Sequence, residues 1–131
     1  MRLIAHLLLS DGSYFSGRAF GAGAESTGEI VFNTAMAGYQ EIFTDPSYLG
    51  QIVVMTCPEI GNYGIAPEDG ESSRPHLRGV VVKHLSETTS NWRSRESLDA
   101  FLERFQVPGI QGVDTRRLTR ILREKGALRS I

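Results

Sequence analysis

Two segments constrain the fold most: Gln51-Ile52-Val53-Val54-Met55-Thr56 and Gly79-Val80-Val81-Val82-Lys83-His84. Each is apolar at odd and even positions alike, and the side chains of a strand point alternately to the two faces of its sheet. Strands of this kind need cover on both sides, so both are expected at the centre of a sheet. A chain of 131 residues has room for one ordinary domain built around them and not for two.

The flanking segments add strands before and helices after. Leu3 to Leu9 and Tyr14 to Phe20 surround Ser10-Asp11-Gly12-Ser13, and Asp-Gly is a type I′ turn signal, so a β-hairpin is predicted. Both faces of its first arm are mostly apolar, which predicts cover on both sides. Gly21 to Gly28 is a small-residue loop leading into the strand Glu29-Ile30-Val31-Phe32-Asn33. Gly64 to Pro75 is polar and is expected to be a surface excursion. Leu98, Phe101, Leu102 and Phe105 recur at helical spacing, with Ser94 as N-cap and Pro108 closing the region. A second helix follows Asp114 and runs through Leu118, Ile121 and Leu122 to Lys125, with Gly126 as its terminator. Strands first and helices last predict a mixed α/β domain with its helices on one side of mixed sheets, rather than a regular βαβ repeat. Leu128 and Ile131 begin a further apolar element without room to finish, so the chain is expected to be part of a longer one.

Bulk composition excludes some function classes. With 40% hydrophobic and 22% charged residues, the chain has a soluble globular composition, and no apolar run approaches the roughly 20 residues needed to cross a bilayer. Met1 to Leu9 is interrupted by His6 and ends at Asp11-Gly12 without a small-residue cleavage site, so it reads as a strand and not a signal peptide. A net charge of -1 gives no global attraction for nucleic acid or an anionic membrane. The single cysteine, Cys57, cannot form an internal disulfide and fits a reducing compartment, so a cytoplasmic location is expected.

The chemistry-bearing candidates are few. Gly38-Tyr-Gln-Glu-Ile-Phe-Thr-Asp-Pro-Ser47 and Met55-Thr-Cys-Pro-Glu-Ile-Gly-Asn-Tyr-Gly64 are dense in Gly, Pro, Asp, Asn and Ser, which fix loop geometry. Loops specified so tightly present something, which places the functional question between Gly38 and Gly64. Gly21, Gly23 and Gly28 are followed by a strand and not the helix a dinucleotide loop requires, so they read as a connection. Cys57 stands beside Pro58 with no Gly-x-Cys-x-Gly elbow and no neighbouring base, which favours a structural thiol over a nucleophile. His6, His76 and His84 lack metal-ligand spacing, and Glu68-Asp69-Gly70-Glu71 lacks that of a calcium loop, so no metal site is expected. On the last helix Arg116, Arg120 and Arg123 point away from the core. They form a solvated basic face, or a docking surface for an acidic region of a partner or of a further part of the chain; nucleic acid comes third, since the face is short and the rest of the chain is not basic.

Several ordered runs carry a family resemblance: Leu9-x-Asp11-Gly12, Gly28-Glu29-Ile30-Val31-Phe32-Asn33-Thr34, Gly38-Tyr39-Gln40-Glu41-Ile42, and Thr44-Asp45-Pro46-Ser47-Tyr48. Gly50-Gln51-Ile52-Val53, Pro58-Glu59-Ile60-Gly61-Asn62-Tyr63-Gly64, Glu71-Ser72, and Asp114-Thr115-Arg116-x-Leu118-Thr119-Arg120-x-Leu122-Arg123-Glu124-Lys125-Gly126 continue it. Over residues 1–131 the chain resembles the N-terminal domain of the small, glutamine-hydrolysing subunit of carbamoyl-phosphate synthase. Cys57 and Phe43 depart from the residues usual in that family, tyrosine and leucine.

The resemblance implies a three-layer β/β/α, swivelling-type domain joining a C-terminal class I glutamine amidotransferase domain to the large synthetase subunit. It implies a parent ligase that makes carbamoyl phosphate from glutamine, bicarbonate and ATP for pyrimidine and arginine biosynthesis, with ATP and Mg2+ used on the large subunit. It implies no cofactor and no catalytic residue in this chain, which would be inactive alone. It also implies that Ser47 contacts bound L-glutamine at the junction with the amidotransferase domain, the alternative being that Ser47 caps its own loop. Two rival readings are a non-catalytic interaction module outside such a complex, and a free-standing enzyme using Cys57 and a histidine.

Overall fold

The two segments apolar on both faces become adjacent parallel strands, β4 (Gln51–Met55) and β5 (Gly79–Val81). The computed structural model describes residues 4–34, 39–56, 75–85, 98–126 and 128–131. On one side of this pair lies β3 (Gly28–Asn33) and on the other β6 (Pro108–Gln111), both parallel to their neighbours. Antiparallel strands flank this parallel set. The hairpin of β1 (Ile4–Leu8) and β2 (Tyr14–Gly21) joins at β6, and β7 (Leu128–Ser130) joins at β3. The strand order is therefore β1-β2-β6-β5-β4-β3-β7.

The sheet curls until its outer strands meet. Leu8 N donates to Ile131 O at 3.1 Å, Ile131 N to Leu8 O at 3.0 Å, and Ser10 N to Arg129 O at 2.8 Å. Residues 128–130, read from the sequence as the start of a further element, are thus the strand that closes the seam between β3 and β1.

Among the described residues three α-helices cover the curled sheet: α1 (Tyr39–Thr44), α2 (Leu98–Arg104) and α3 (Thr115–Lys125). Strand alternation sorts the core into two clusters. Val53, Met55, Val80 and Val82 pack with Phe43 of α1 and Leu98, Phe101 and Leu102 of α2. Ile52, Val54, Val81, Ile30 and Ile110 pack with Leu118 and Leu122 of α3. Burying each such side chain contributes about 1.5–3 kcal/mol relative to exposure.

The helices therefore lie on both faces of one mixed sheet, which corrects the expectation that all would lie on one side. The signal missed was β6: only four residues long and opening with Pro108, it hides behind the end of α2. With β6 in place, β3-α1-β4 and β5-α2-β6 are parallel crossovers, and α1 and α2 share a face. The mixed α/β class stands.

Two local expectations also change. The hairpin turn is not type I′, which needs positive φ at both central residues. Gly12 has φ 93°, whereas Gln106 is the one non-glycine residue of positive φ among those described. Leu9 O accepts from Gly12 N at 3.0 Å and Ser13 O from Leu9 N at 2.9 Å, enclosing a loop of Ser10, Asp11 and Gly12. Nor is β1 covered on both sides: Leu7 is buried, but Ile4 is 72% exposed, Leu8 46%, and His6 is exposed.

The last helix follows its sequence cues closely. Asp114 Oδ1 accepts from Arg117 N at 3.1 Å, and Gly126, at φ 76°, donates its N–H to Leu122 O at 2.9 Å.

Candidate functional site

The run from Gly38 to Ser47 is not all loop. Residues 39–44 form α1, whose Phe43 is fully buried and whose Thr44 is 1% exposed, and a 3-10 turn follows at Pro46–Tyr48. Phe43 anchors this segment on the face that carries α2. Phe43 O also accepts from His76 N at 3.2 Å, tying the end of α1 to the segment before β5.

Asp45 shapes what comes next. Its backbone is extended at φ -72° and ψ 121°, and Pro46 supplies the fixed φ that starts the turn. Asp45 Oδ1 accepts from Ser47 N at 3.0 Å, Tyr48 N donates to Asp45 O at 3.1 Å, and Leu49 N to Pro46 O at 3.1 Å. Tyr48 then turns inward, where its hydroxyl accepts from Asn33 Nδ2 at 2.9 Å. Gly50, at φ 81°, redirects the chain into β4.

The result is a short loop pinned on both sides of Ser47. Ser47 itself is exposed, and Leu49 beside it is 73% exposed. The cap is supplied by the Asp45 carboxylate, and Ser47 Oγ makes no hydrogen bond among the described residues. Its hydroxyl is thus open to donate to a carboxylate or accept from an ammonium group.

The other candidates do not gather around it. Cys57, the rest of the run to Gly64, the acidic residues 68–71 and Ser94 lie outside the described residues. His6 is exposed on the hairpin, stacked on Tyr14 at 5.8 Å between ring centroids and hydrogen-bonded to its hydroxyl. His84 is exposed and His76 half-buried. No group of three or more His, Cys, Asp or Glu that could hold a metal occurs among the described residues. A mainly aliphatic cavity of about 560 Å³ opens beside Ala5, Leu7, Ile52, Val81 and Ile110, away from Ser47. No described helix is long and apolar enough to cross a membrane.

The basic residues of α3 sit on the opposite face of the sheet from Ser47. Arg117 lies over the Phe15 ring at 4.0 Å and donates to Tyr14 O at 3.2 Å, and Arg123 lies over Phe32 at 5.4 Å. Arg116 and Arg120 are exposed and have no ion-pair or hydrogen-bond partner for their side chains among the described residues. Thr119, on the same helix, is only 8% exposed, and its hydroxyl lacks a partner among the described residues. Helical spacing identified the arginines, but it carried no sign of this stranded hydroxyl.

Comparison with known proteins finds relatives over nearly the whole sequence. Residues 7–131 match the family described as carbamoyl-phosphate synthase small chain, CPSase domain. The carbamoyl phosphate synthase small chain of Syntrophotalea carbinolica is 61% identical over 123 residues, which cover 94% of this chain and 33% of that protein. That of Oceanobacillus iheyensis is 56% identical over 125 residues, 95% of this chain and 34% of the relative. The pyrimidine-specific small chain of Halalkalibacterium halodurans is 54% identical over 123 residues, 94% of this chain and 34% of that one. The chain thus spans about a third of the length of these relatives. On the match across residues 7–131, this chain belongs to the carbamoyl-phosphate synthase small-chain family and corresponds to its CPSase domain.

Proposed function

We propose that this chain is the N-terminal domain of the small subunit of a glutamine-dependent carbamoyl-phosphate synthase, and that Ser47 closes the glutamine pocket of a neighbouring amidotransferase domain. The observation that carries this reading is the exposed Ser47 hydroxyl, held on a loop fixed by Asp45, Pro46 and Tyr48 and left without a partner among the described residues. Leu49, 73% exposed on the same loop, supplies an apolar contact beside it.

In this reading the domain does no bond-breaking chemistry. Amide hydrolysis needs a nucleophile with a base at hand, and the amidotransferase domain supplies both. Ser47 contributes orientation, since a hydroxyl on a preorganised loop fixes the substrate backbone at little entropic cost. The ammonia released passes to the large subunit, where bicarbonate and two ATP complete carbamoyl phosphate for pyrimidine and arginine synthesis. ATP and Mg2+ belong to that subunit, and no step on this domain runs through them. The whole assembly is taken to be cytoplasmic.

Glutamine kinetics of the full-length enzyme test the site. Ser47→Ala is expected to raise KM for glutamine roughly tenfold, the loss of one hydrogen bond to a charged group. An unchanged KM removes Ser47 from the pocket. Failure of the small chain to bind a large synthetase subunit removes the wider reading and leaves an interaction module of another kind.

A further inference from the structure

A domain that joins two partners must present two separate surfaces. The Ser47 loop packs with α1 and α2 on one face of the sheet, and α3 packs on the other. One partner lying against Ser47 therefore leaves the outer side of α3 uncovered.

On that side Arg117, Arg123 and Lys125 make contacts within the domain, whereas Arg116 and Arg120 have no side-chain partner among the described residues. The eleven residues of α3 carry Arg116, Arg117, Arg120, Arg123 and Lys125 against the single acid Glu124, in a chain whose net charge is -1. Arg116, Arg120 and Arg123 fall within about 60° of arc at 3.6 residues per turn. Arg116 and Arg117 occupy the first turn, which contains no acidic residue, so they oppose the helix dipole. Four of the five cations are arginine, whose planar fork grips a carboxylate at two points, whereas a face that only needs water is served equally well by lysine. Local rules are broken where a site requires it.

Resting on the function proposed above, we infer that the exposed face of α3, centred on Arg116 and Arg120 and flanked by Arg123, docks onto a carboxylate-bearing surface of the large synthetase subunit. Arg123, held over Phe32, stiffens one border of the patch. Arg116 and Arg120 have no partner for their side chains among the described residues and are left to make the intersubunit ion pairs.

The test uses the full-length small chain and the purified large subunit, with association followed by titration calorimetry. The double reversal Arg116→Glu/Arg120→Glu is expected to weaken binding by roughly tenfold to a hundredfold. Glutamine hydrolysis by the small chain alone is expected to stay unchanged. Glutamate suits the first turn of a helix better than arginine, so the variant should fold. Arg116→Gln/Arg120→Gln gives a second reading, with a weakening of about threefold or more. Wild-type affinity is expected to fall steeply between about 50 and 300 mM NaCl. Binding by either variant within about twofold of wild type, or a wild-type affinity indifferent to salt, overturns the inference and leaves the function standing. Absence of wild-type binding overturns both. Loss of binding to a short duplex DNA in the same variants, with the large subunit still held, also overturns it, in favour of a nucleic-acid surface.

Discussion

Lys125 Nζ lies 2.9 Å from Asp11 Oδ2, so the last turn of α3 is tied to the hairpin loop that opens the fold. The same carboxylate accepts from Ser13 N at 2.9 Å through Oδ1. The Ser13 backbone N–H, and after it the Lys125 ammonium, hold the Asp11 carboxyl down from 3.8 to about 2.

Because the folded-state value lies below the unfolded one, the stability that Asp11 contributes is complete above about pH 4 and is lost as pH falls through about 2. Asp11→Asn is expected to flatten the decline of the urea midpoint in that window and to leave its shape at neutral pH unchanged. Lys125→Met should preserve most of the decline, since the Ser13 amide is the larger cause. Equal acid slopes in wild type and Asp11→Asn would contradict this.

Gly17 marks where β2 and β6 touch. A Cβ there would stand 2.1 Å from the backbone oxygen of Gln111, so Gly17→Ala must push the strands apart. A loss of about 3 kcal/mol or more is expected in chemical denaturation. Gly12→Ala has open space around it and pays only for its φ of 93°, about 1–2 kcal/mol. A smaller loss at position 17 than at 12 would show that the close approach is not a constraint.

Thr119 buries a hydroxyl that finds no partner among the described residues. Thr119→Val removes it at nearly constant shape and is expected to add about 1 kcal/mol, or about 3 °C in Tm. Thr119→Ser keeps the hydroxyl and deletes a methyl group, so it should lower Tm. A Tm that falls in the valine variant would mean the hydroxyl has a partner in solution.

Asp45 holds the backbone of Ser47 through its Oδ1. Asp45→Ala removes the bond to Ser47 N, which costs about 1 kcal/mol of local order. In the full-length enzyme a several-fold rise in the glutamine KM is expected, with Ser47 still present. Equal KM values for wild type and Asp45→Ala would separate loop order from glutamine binding.

The readable parts of the fold were those whose signal is local. α3 shows its period, its aspartate cap and its terminal glycine within a dozen residues, and it forms between Thr115 and Lys125 as expected. β4 and β5 show their double burial directly in their composition. α1 was hidden because it is six residues long inside a stretch rich in turn formers, and β6 because a proline opens it. Missing β6 meant missing a crossover, and with it the face on which α3 would lie. At the candidate site, Asp45-Pro46 announced a rigid turn, but nothing in the spacing singled out Ser47. That assignment came from family resemblance, because an exposed hydroxyl on a short turn has no pattern of its own in the sequence.

The seam between Leu8 and Ile131 has a consequence for how the domain is made. A barrel-like wall stays unsealed until its closing stave arrives, and here that stave is β7, separated in sequence from β1 by every other described strand. During synthesis the hairpin must wait with its outer backbone groups unmatched, at risk of pairing with another nascent chain. Maturation should therefore be slow compared with a helical bundle of this size, and a ribosome-bound intermediate lacking β7 should be the species that chaperones hold.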